Sequence, residues 1–254
     1  MNTSNKVLED PKQNNILASL NKADYVRILP DLELVEIPFG WTITEAGDHE
    51  KYVHFPISGI VSLIYVLKDG FSNEVAMIGN EGMLGVSIYL GGGSMLTSTK
   101  VQHAGKAYRL SRSLLKKEFA LGINMHRIAL LYTQTLIAQT SQTAVCNKHH
   151  SKDQQFCRWL LMTVDRLTVN QIDITHLSIA KQLGIRRESI SESISKLQKE
   201  GIIACSSGHI NVVNMIKLKK RVCECYKVVT KEYRRLLPNK IKKNQCQILR
   251  LNPT

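Results

Sequence analysis

The chain has no long run of apolar residues. No segment approaches the ~18 consecutive apolar residues that a membrane-spanning helix requires. The first 15 residues are polar and lack the apolar stretch of a secretory signal. These absences exclude a membrane span and a secretory signal from our predictions. We therefore expect a soluble, cytoplasmic protein without a membrane partner, and its 254 residues suffice for two modest domains.

Cysteine is missing from the first 145 residues, and the six cysteines that follow are too sparse for a secreted disulfide scaffold. We expect reduced thiols of structural or incidental role. The only close pair is Cys223-Glu-Cys225, and two further metal ligands at suitable spacing are not evident, so a metal site is the weaker interpretation. The cysteines are Cys146, Cys157, Cys205, Cys223, Cys225 and Cys246.

Residues 1–146 lack a net charge, because they hold 13 basic and 13 acidic side chains. Residues 147–254 hold 21 basic and 8 acidic side chains, so they carry the whole net charge of +13. A basic half beside a neutral half indicates a polyanion partner for the basic half, although a solubilising surface is the alternative. Part of the excess lies in a polar C-terminal tail with Lys240, Lys242, Lys243 and Arg250.

The pattern of residues 174–197 predicts a helix, a glycine turn at Gly184 and a second helix. Apolar residues at helical spacing predict one buried stripe on each helix, with Ala180 small where the helices meet. This pattern is typical of a DNA-binding helix-turn-helix. The buried positions are Ile179 and Leu183 in the first helix, and Ile190, Ile194 and Leu197 in the second.

The opposite face of the second helix is polar, with Arg187 near its start and Glu188, Ser191, Glu192 and Ser195 along it. Residues at the start of such a helix contact base edges in the major groove. The alternative is an ordinary amphipathic helical hairpin. Two β-prone runs, 202–205 and 209–213, flank a turn at 206–208 and predict a hairpin. A helix-turn-helix followed by a hairpin is a winged helix, which favours the DNA-binding interpretation.

The first half predicts a short helical entry over 14–29 and then β structure to about residue 110, which indicates a β-sandwich or roll. Asp69-Gly70 between two apolar runs predicts a tight hairpin turn. The expected strands are 32–37, 52–55, 60–67, 71–78 and 106–110.

A proline-free stretch from Ser113 to about Asn147, with Gly122 as its only glycine, predicts one long helix. Its apolar residues lie on more than one side, so we expect it to pack on the β-roll and on a second subunit. Residues 147–151 predict a hinge, and 153–167 a further helix. Helical spacing between Val222 and Leu236, ended by Pro238, predicts an added helix that packs on the winged domain, with an effector or partner surface as the alternative.

This order of parts resembles the Crp–Fnr family of bacterial transcription regulators over roughly residues 14–216. The resemblance rests on Ile174-Thr175, Gly184, Arg187-Glu188-Ser189 and Gly201-Ile202-Ile203, with support from 56–61 and 79–85. It implies an α+β fold: a cyclic-nucleotide-binding-like β-roll with a dimerisation helix at about 124–147 (residues 1–147) and a winged helix-turn-helix (148–216). The extra helix and basic tail expected over residues 217–254 are a difference from the family.

The resemblance also implies a homodimer that controls transcription, with double-stranded operator DNA and RNA polymerase as partners. Two recognition helices in successive major grooves imply half-sites ~34 Å apart. By resemblance, Arg187 contacts guanine, Glu188 accepts from cytosine and Ser189 contacts phosphate. Glu192 and Arg186 depart from the family pattern, where an arginine and a Ser or Thr cap are usual, so the operator is expected to differ and Arg186 to grip a phosphate. The full set of expected DNA contacts is Thr175, His176, Lys181, Arg186, Arg187, Glu188, Ser189, Ser191, Glu192, Ser195 and Lys196.

The sensor half departs from the cyclic-nucleotide-binding members. The segment that holds the ribose aligns with Gly85-Val86-Ser87, and the segment that holds the phosphate falls near Thr97-Ser98-Thr99. Valine cannot accept a hydrogen bond from ribose and threonine brings no charge. We therefore expect no cAMP in the usual mode, with substitute residues such as Lys100 or Arg109 as the rival interpretation. Gly91-Gly92-Gly93 as an anion nest is a weak signal.

No cofactor or metal is expected. The iron–sulfur members carry an N-terminal cysteine cluster, which is missing from this sequence. His49, His54 and His103 are assigned to packing or the surface rather than to haem. Neither paired carboxylates nor a Ser/His/Asp or Cys/His arrangement indicates catalysis, so we predict that the chain is not an enzyme. A ligand-controlled binding module or enzyme that is only tethered by its basic half is the alternative from another class.

Overall fold

The structure, a computed structural model, describes residues 9–121, 123–167, 169–206 and 208–237. Pro238, Cys246 and the basic tail of the sequence analysis lie outside these ranges. In the described part the mixed α+β prediction is confirmed: a sheet domain, a long helix and a helix-turn-helix follow one another along the chain.

Two short helices precede a domain built mainly of strands. Asn14 begins the first helix, because its side chain accepts from the amides of Ile16 and Leu17. The helices are α1 (Asn15–Ser19), α2 (Lys22–Ile28) and α3 (Val86–Leu90). The strands are β1 (Glu33–Ile37), β2 (Thr42–Thr44), β3 (Tyr52–Pro56), β4 (Ile60–Val66), β5 (Ser72–Ile78), β6 (Ser98–His103) and β7 (Gly105–Ser111).

These strands form two antiparallel sheets that share one apolar core. One sheet has the order β1-β7-β3 and the other β2-β6-β4-β5. The hairpin predicted at Asp69-Gly70 is the β4–β5 connection, with Gly70 at φ 82°. The five predicted strands are present, whereas β2, β6 and α3 were not foreseen.

The helix predicted over 113–147 is two helices in the structure, α4 (Arg112–Leu121) and α5 (Ile123–His149). The prediction of one helix was wrong at this point, although α5 contains the expected dimerisation segment. One face of α5 packs against the sheet domain, and the opposite face is exposed. The buried positions follow helical spacing: Met125, Ile128, Ala129, Tyr132, Thr135, Leu136, Gln139, Thr143 and Cys146.

The second domain has its own apolar cluster, which also includes Ile60 and Met77 of the sheet domain. A short strand before the helix-turn-helix, β8, was not foreseen and joins the wing in a sheet of order β8-β10-β9. Its elements are α6 (Lys152–Leu167), β8 (Gln171–Asp173), α7 (His176–Leu183), α8 (Arg187–Lys199), β9 (Ile203–Ser206), β10 (His209–Val212) and α9 (Met215–Arg221).

The added helix, α10 (Glu224–Leu236), is present but packs differently from the prediction. It lies mainly along α5 and touches α6, rather than resting on the winged domain alone. Tyr233 and Leu237 join the core of the sheet domain, while Tyr226 packs on the second cluster. The apolar side chains at the two ends of this segment therefore contact both apolar clusters, and the helix bridges the two domains.

A buried polar network holds α6 against the sheet domain and α5. The Arg166 guanidinium donates to Glu81 at 2.7 Å and to the Gln139 amide oxygen at 3.2 Å. Gln139 in turn donates to the Met77 carbonyl at 3.1 Å. The Arg166 side chain is only 9% exposed, so the charge depends on these partners.

No helix within the described ranges is both long enough and apolar enough to cross a membrane.

Burial of His54 on β3 has a consequence for stability. Desolvation lowers its pKa from 6.5 to about 4, with a smaller contribution from the nearby Arg109 charge. Between these values the unfolded chain binds a proton that the folded chain does not, so His54 makes stability fall as the pH falls. We expect His54→Gln to reduce the loss of unfolding free energy between pH 7 and pH 5 by about 2 kcal/mol. Denaturant unfolding at the two pH values measures this, and an identical loss in both proteins would contradict it.

Candidate nucleic-acid interface

Local capping and turn residues position the helix-turn-helix. The Thr175 hydroxyl accepts from the Ser178 amide at 3.1 Å and begins α7. Gly184 ends α7 with φ 62°, a left-handed conformation that favours glycine. The predicted stripe residues Ile179, Ile190, Ile194 and Leu197 and the small Ala180 are buried, whereas Leu183 is only half-buried.

The structure places most of the expected DNA contacts on one exposed surface of α7 and α8. Eight are exposed: Thr175, Lys181, Arg186, Arg187, Glu188, Glu192, Ser195 and Lys196. Three are half-buried: His176, Ser189 and Ser191.

Several of these side chains already serve the fold. Lys196 Nζ lies 2.5 Å from Asp153 Oδ2, which ties α8 to α6. His176 Nδ1 lies 3.1 Å from the Ser191 hydroxyl, and this hydroxyl also donates to the Arg187 carbonyl. Lys196, His176 and Ser191 are therefore less available to DNA than the sequence pattern alone indicated.

Three cations of this surface are unpaired in the described part of the chain: Lys181, Arg186 and Arg187. Arg186 is the N-cap of α8 with extended backbone, and its side chain makes no capping bond to the described residues. The start of α8 therefore presents two guanidinium groups together with its free amides, which attract anions. Glu188 and Glu192 lie further along the exposed side of the same helix.

The wing beside these helices is held by its sheet. His209 of β10 pairs with Asp173 of β8, with Nδ1 2.5 Å from Oδ1. The hydrogen bond from His209 lowers the pKa of Asp173. Gly208 has φ 85° in the β9–β10 turn, which agrees with the predicted glycine turn.

The β4–β5 hairpin of the sheet domain rests against the helix-turn-helix. The Ser72 hydroxyl donates to the Lys181 carbonyl at 3.5 Å. A groove between hairpin and helices is lined by Phe71, Leu177 and Arg187, among others. The sequence predicts this hairpin turn but not its position beside the start of α8, because that position depends on the packing of the two domains.

A second contact between the domains is a chain of buried amides. The Trp159 indole donates to the Gln182 oxygen at 3.0 Å, and the Gln182 amide donates to Gln102 at 2.7 Å. Gln182 lies on α7 and Gln102 on β6, so this hydrogen bond joins the sheet domain directly to the helix-turn-helix. The sequence pattern gave no signal for these three residues.

In the sheet domain, the segment Gly85-Val86-Ser87 begins α3 and is occupied by a neighbouring carboxylate. Glu50 Oε2 accepts from the Ser87 amide at 3.2 Å and from the Ser87 hydroxyl. Burial raises the pKa of Glu50, whereas the bonds from Ser87 lower it. The Val86 side chain is buried and apolar, so it offers no hydrogen bond to a ligand.

The two rival phosphate ligands of this domain, Arg109 and Lys100, differ in their surroundings. Arg109 donates to Glu33 at 2.7 Å and stacks over the Tyr52 ring. Lys100 is exposed on β6. In the glycine segment, the amides of Gly91 and Gly93 both donate to the Ser87 carbonyl, which leaves only part of the proposed nest.

Comparison with known proteins agrees with this geometry. Residues 154–221 match the family model of the Crp-like helix-turn-helix domain. No curated protein sequence matches the chain. FixK2 from Bradyrhizobium japonicum has a similar structure, with a TM-score of 0.66 and 18% identity over 76% of this chain and 98% of that chain.

Two further solved structures are similar. The c-di-GMP responsive global regulator CLP of Xanthomonas campestris has a TM-score of 0.63 and 15% identity, over 76% of this chain and 99% of that chain. A CRP-family transcriptional regulator from Thermus thermophilus has a TM-score of 0.62 and 16% identity, over 74% of this chain and 95% of that chain.

The C-terminal half of the chain therefore contains a Crp-like helix-turn-helix domain, and the chain has the fold of the Crp/Fnr transcription regulators. The resemblance drawn from the sequence is confirmed at this level.

Proposed function

We propose that the protein is a dimeric, sequence-specific DNA-binding transcription regulator controlled by a signal at its β-roll, rather than an enzyme. The observation that carries this proposal is the exposed cationic surface at the start of α8, on a Crp-like helix-turn-helix. Phosphate contacts from Lys181 and Arg186 supply affinity, and Arg187 contacts a base edge. Operator DNA is the main partner, and RNA polymerase is the expected partner at the promoter.

Arg187→Ala tests the base contact. Loss of a bidentate contact to guanine is expected to cost ~1–3 kcal/mol on the selected operator and to relax specificity at one base pair. A selected binding sequence and random DNA are compared in a gel-shift titration at fixed salt. Equal loss on both DNAs would contradict the base-contacting role.

Lys181→Ala is the matched control, because Lys181 lies on the same surface but on α7. It is expected to weaken binding to every sequence and to reduce the slope of log K against log salt by about one. Lys116→Ala, an exposed lysine on α4 of the sheet domain, should leave both quantities unchanged. Equal affinity of the parent chain for selected and random DNA would favour the alternative hypothesis, a binding module or enzyme that is only tethered by its basic half.

The exposed face of α5 supports the dimer. Three large apolar side chains point away from the sheet domain on this face: Leu130, Ile137 and Val145, which are 48%, 60% and 48% exposed. Their spacing of seven and eight residues places them on one stripe of the helix. Pairing α5 with its copy would cover this stripe and set two recognition helices side by side, as a palindromic operator requires.

Ile137→Glu is expected to separate the dimer, because two glutamates would face each other in a desolvated interface. Light scattering coupled to gel filtration should give the monomer mass at concentrations where the parent chain is a dimer. Leu96→Glu, at a loop position that is 75% exposed, is the control and should stay dimeric. A dimer that survives Ile137→Glu would rule out this face of α5.

The signal would act through the contacts between the domains. The β4–β5 hairpin and the Gln102–Gln182 bond both touch the helix-turn-helix, so a ligand that moves either element changes the population of DNA-competent dimers. The position of Glu50 supports control by something other than cAMP in the usual mode. Its carboxylate holds the Ser87 amide at the start of α3, and Val86 has nothing to offer a ribose hydroxyl.

Calorimetry with cAMP tests this part of the proposal. We expect no saturable heat at millimolar ligand, because the amide of Ser87 is already bonded and no arginine is present at Thr97-Ser98-Thr99. Saturable binding would instead favour Lys100 as the substitute phosphate ligand, and Lys100→Ala would then abolish it.

A further inference from the structure

Three cysteines and one histidine meet where α5 ends and α10 begins, away from the candidate DNA surface. Cys146 and His150 are one helical turn apart at the end of α5, Cys223 is the N-cap of α10, and Cys225 lies in its first turn. One ligating atom of each residue lies within 4.8 Å of all the others. Only the Cys223–Cys225 pair is evident in the sequence, because Cys146 and His150 precede it by ~75 residues.

The distances match the edges of a small tetrahedron. Zn–S bonds of ~2.3 Å and Zn–N bonds of ~2.0–2.1 Å require S···S edges of about 3.8 Å and S···N edges of about 3.6 Å. Cys146 Sγ and Cys223 Sγ are 3.7 Å apart, and Cys225 Sγ and His150 Nδ1 are 3.4 Å apart. A disulfide would need sulfurs ~2.05 Å apart, so the pair is spaced for a shared ion rather than for a bond.

The residues around the cluster orient its ligands. His150 Nε2 lies 3.3 Å from Glu224 Oε2, so a proton on Nε2 is held by the carboxylate and the Nδ1 lone pair faces the sulfurs. A carboxylate behind a ligating histidine is the usual outer partner of a metal site. The Gln142 amide donates to Cys225 Sγ at 3.0 Å, which favours the thiolate.

The three cysteines are shielded from water, and two of them lie at the start of a helix. Cys146, Cys223 and Cys225 are 0%, 4% and 0% exposed and form a cluster of their own. Cys223 and Cys225 lie at the N-terminus of a 13-residue helix, whose free amides stabilise negative charge.

We propose that Cys146, His150, Cys223 and Cys225 form a tetrahedral Zn²⁺ site that fastens α10 to the end of α5. Binding would displace up to three thiol protons and form three Zn–S bonds and one Zn–N bond, without a change in oxidation state. Four protein ligands leave no open coordination position, so the site is structural rather than catalytic. His150 and Ser151 connect α5 to α6. An ion bound here would therefore stabilise the junction between the two domains.

Metal analysis of the full chain, purified with reductant and without chelator, tests this proposal. We expect about one Zn²⁺ per chain, and less than about a tenth of that in the Cys223→Ser/Cys225→Ser variant. Cys205→Ser, a half-buried cysteine of β9 outside the cluster, is the matched control and should keep its zinc. Zinc that persists in the double variant would overturn the proposal.

Co²⁺ in place of Zn²⁺ gives an absorption spectrum of the parent chain, which does not depend on whether the double cysteine variant folds. The parent chain should show the sulfur-to-cobalt absorption of three thiolates and the intense visible bands of a tetrahedral ion. His150→Ala should retain the thiolate absorption with altered visible bands, because only the nitrogen ligand is lost.

Alkylation followed by mass spectrometry measures whether the cysteine thiols are protected by the metal. In the metal-bound chain, Cys146, Cys223 and Cys225 should be protected from alkylation and become reactive after chelation, while Cys205 reacts in both states. A chain without metal or thiolate–cobalt absorption would overturn the proposal. A Cys146–Cys223 disulfide in the freshly purified protein would overturn it in favour of a redox pair.

Discussion

The structure depends on the burial of one charge, the guanidinium of Arg166, at the place where the two domains meet. A buried cation without partners is costly, so α6 can pack here only when Glu81 and Gln139 are both in position. Glu81 belongs to the sheet domain and Gln139 to α5. A single side chain therefore fixes three parts of the molecule relative to one another, and the amide chain from Trp159 through Gln182 to Gln102 fixes the helix-turn-helix in the same way.

Helix α5 takes part in the packing of the sheet domain, in the proposed dimer interface and in the cysteine cluster. Its buried face packs on the sheet domain and on α10, its last turns carry Cys146 and lead to His150, and its exposed face carries the apolar stripe with Ile137. Its polar residues, which obscured the heptad pattern in the sequence, have structural roles: Gln139 belongs to the Arg166 network and Gln142 bonds to Cys225. A movement of α5 would thus affect the proposed dimer interface, the junction between the two domains and the cysteine cluster together.

The fold could be predicted from the sequence where local patterns are strong. The helix-turn-helix followed from apolar spacing and Gly184, and five strands of the sheet domain from apolar runs and turn residues. Strand β6 was missed because Ser98–His103 is mostly polar, and its pairing with β2 and β4 decides its conformation. Likewise, α10 could be predicted as a helix, but its partner could not. The Cys146–His150–Cys223–Cys225 cluster is the clearest case. Its members come from the end of α5 and the start of α10, which are far apart in the sequence, so no short segment contains all four.

The unequal distribution of charge along the chain has a consequence for how the protein would find DNA. Residues 1–146 carry balanced charge, whereas the exposed guanidiniums of Arg186 and Arg187 belong to the basic half, residues 147–254. Such a molecule is a dipole as well as a cation. In the field of a phosphate backbone it would be turned before contact, so that encounters begin with α8 facing the duplex. Orientation during diffusion would then raise the rate of productive collisions without any added contact in the final complex.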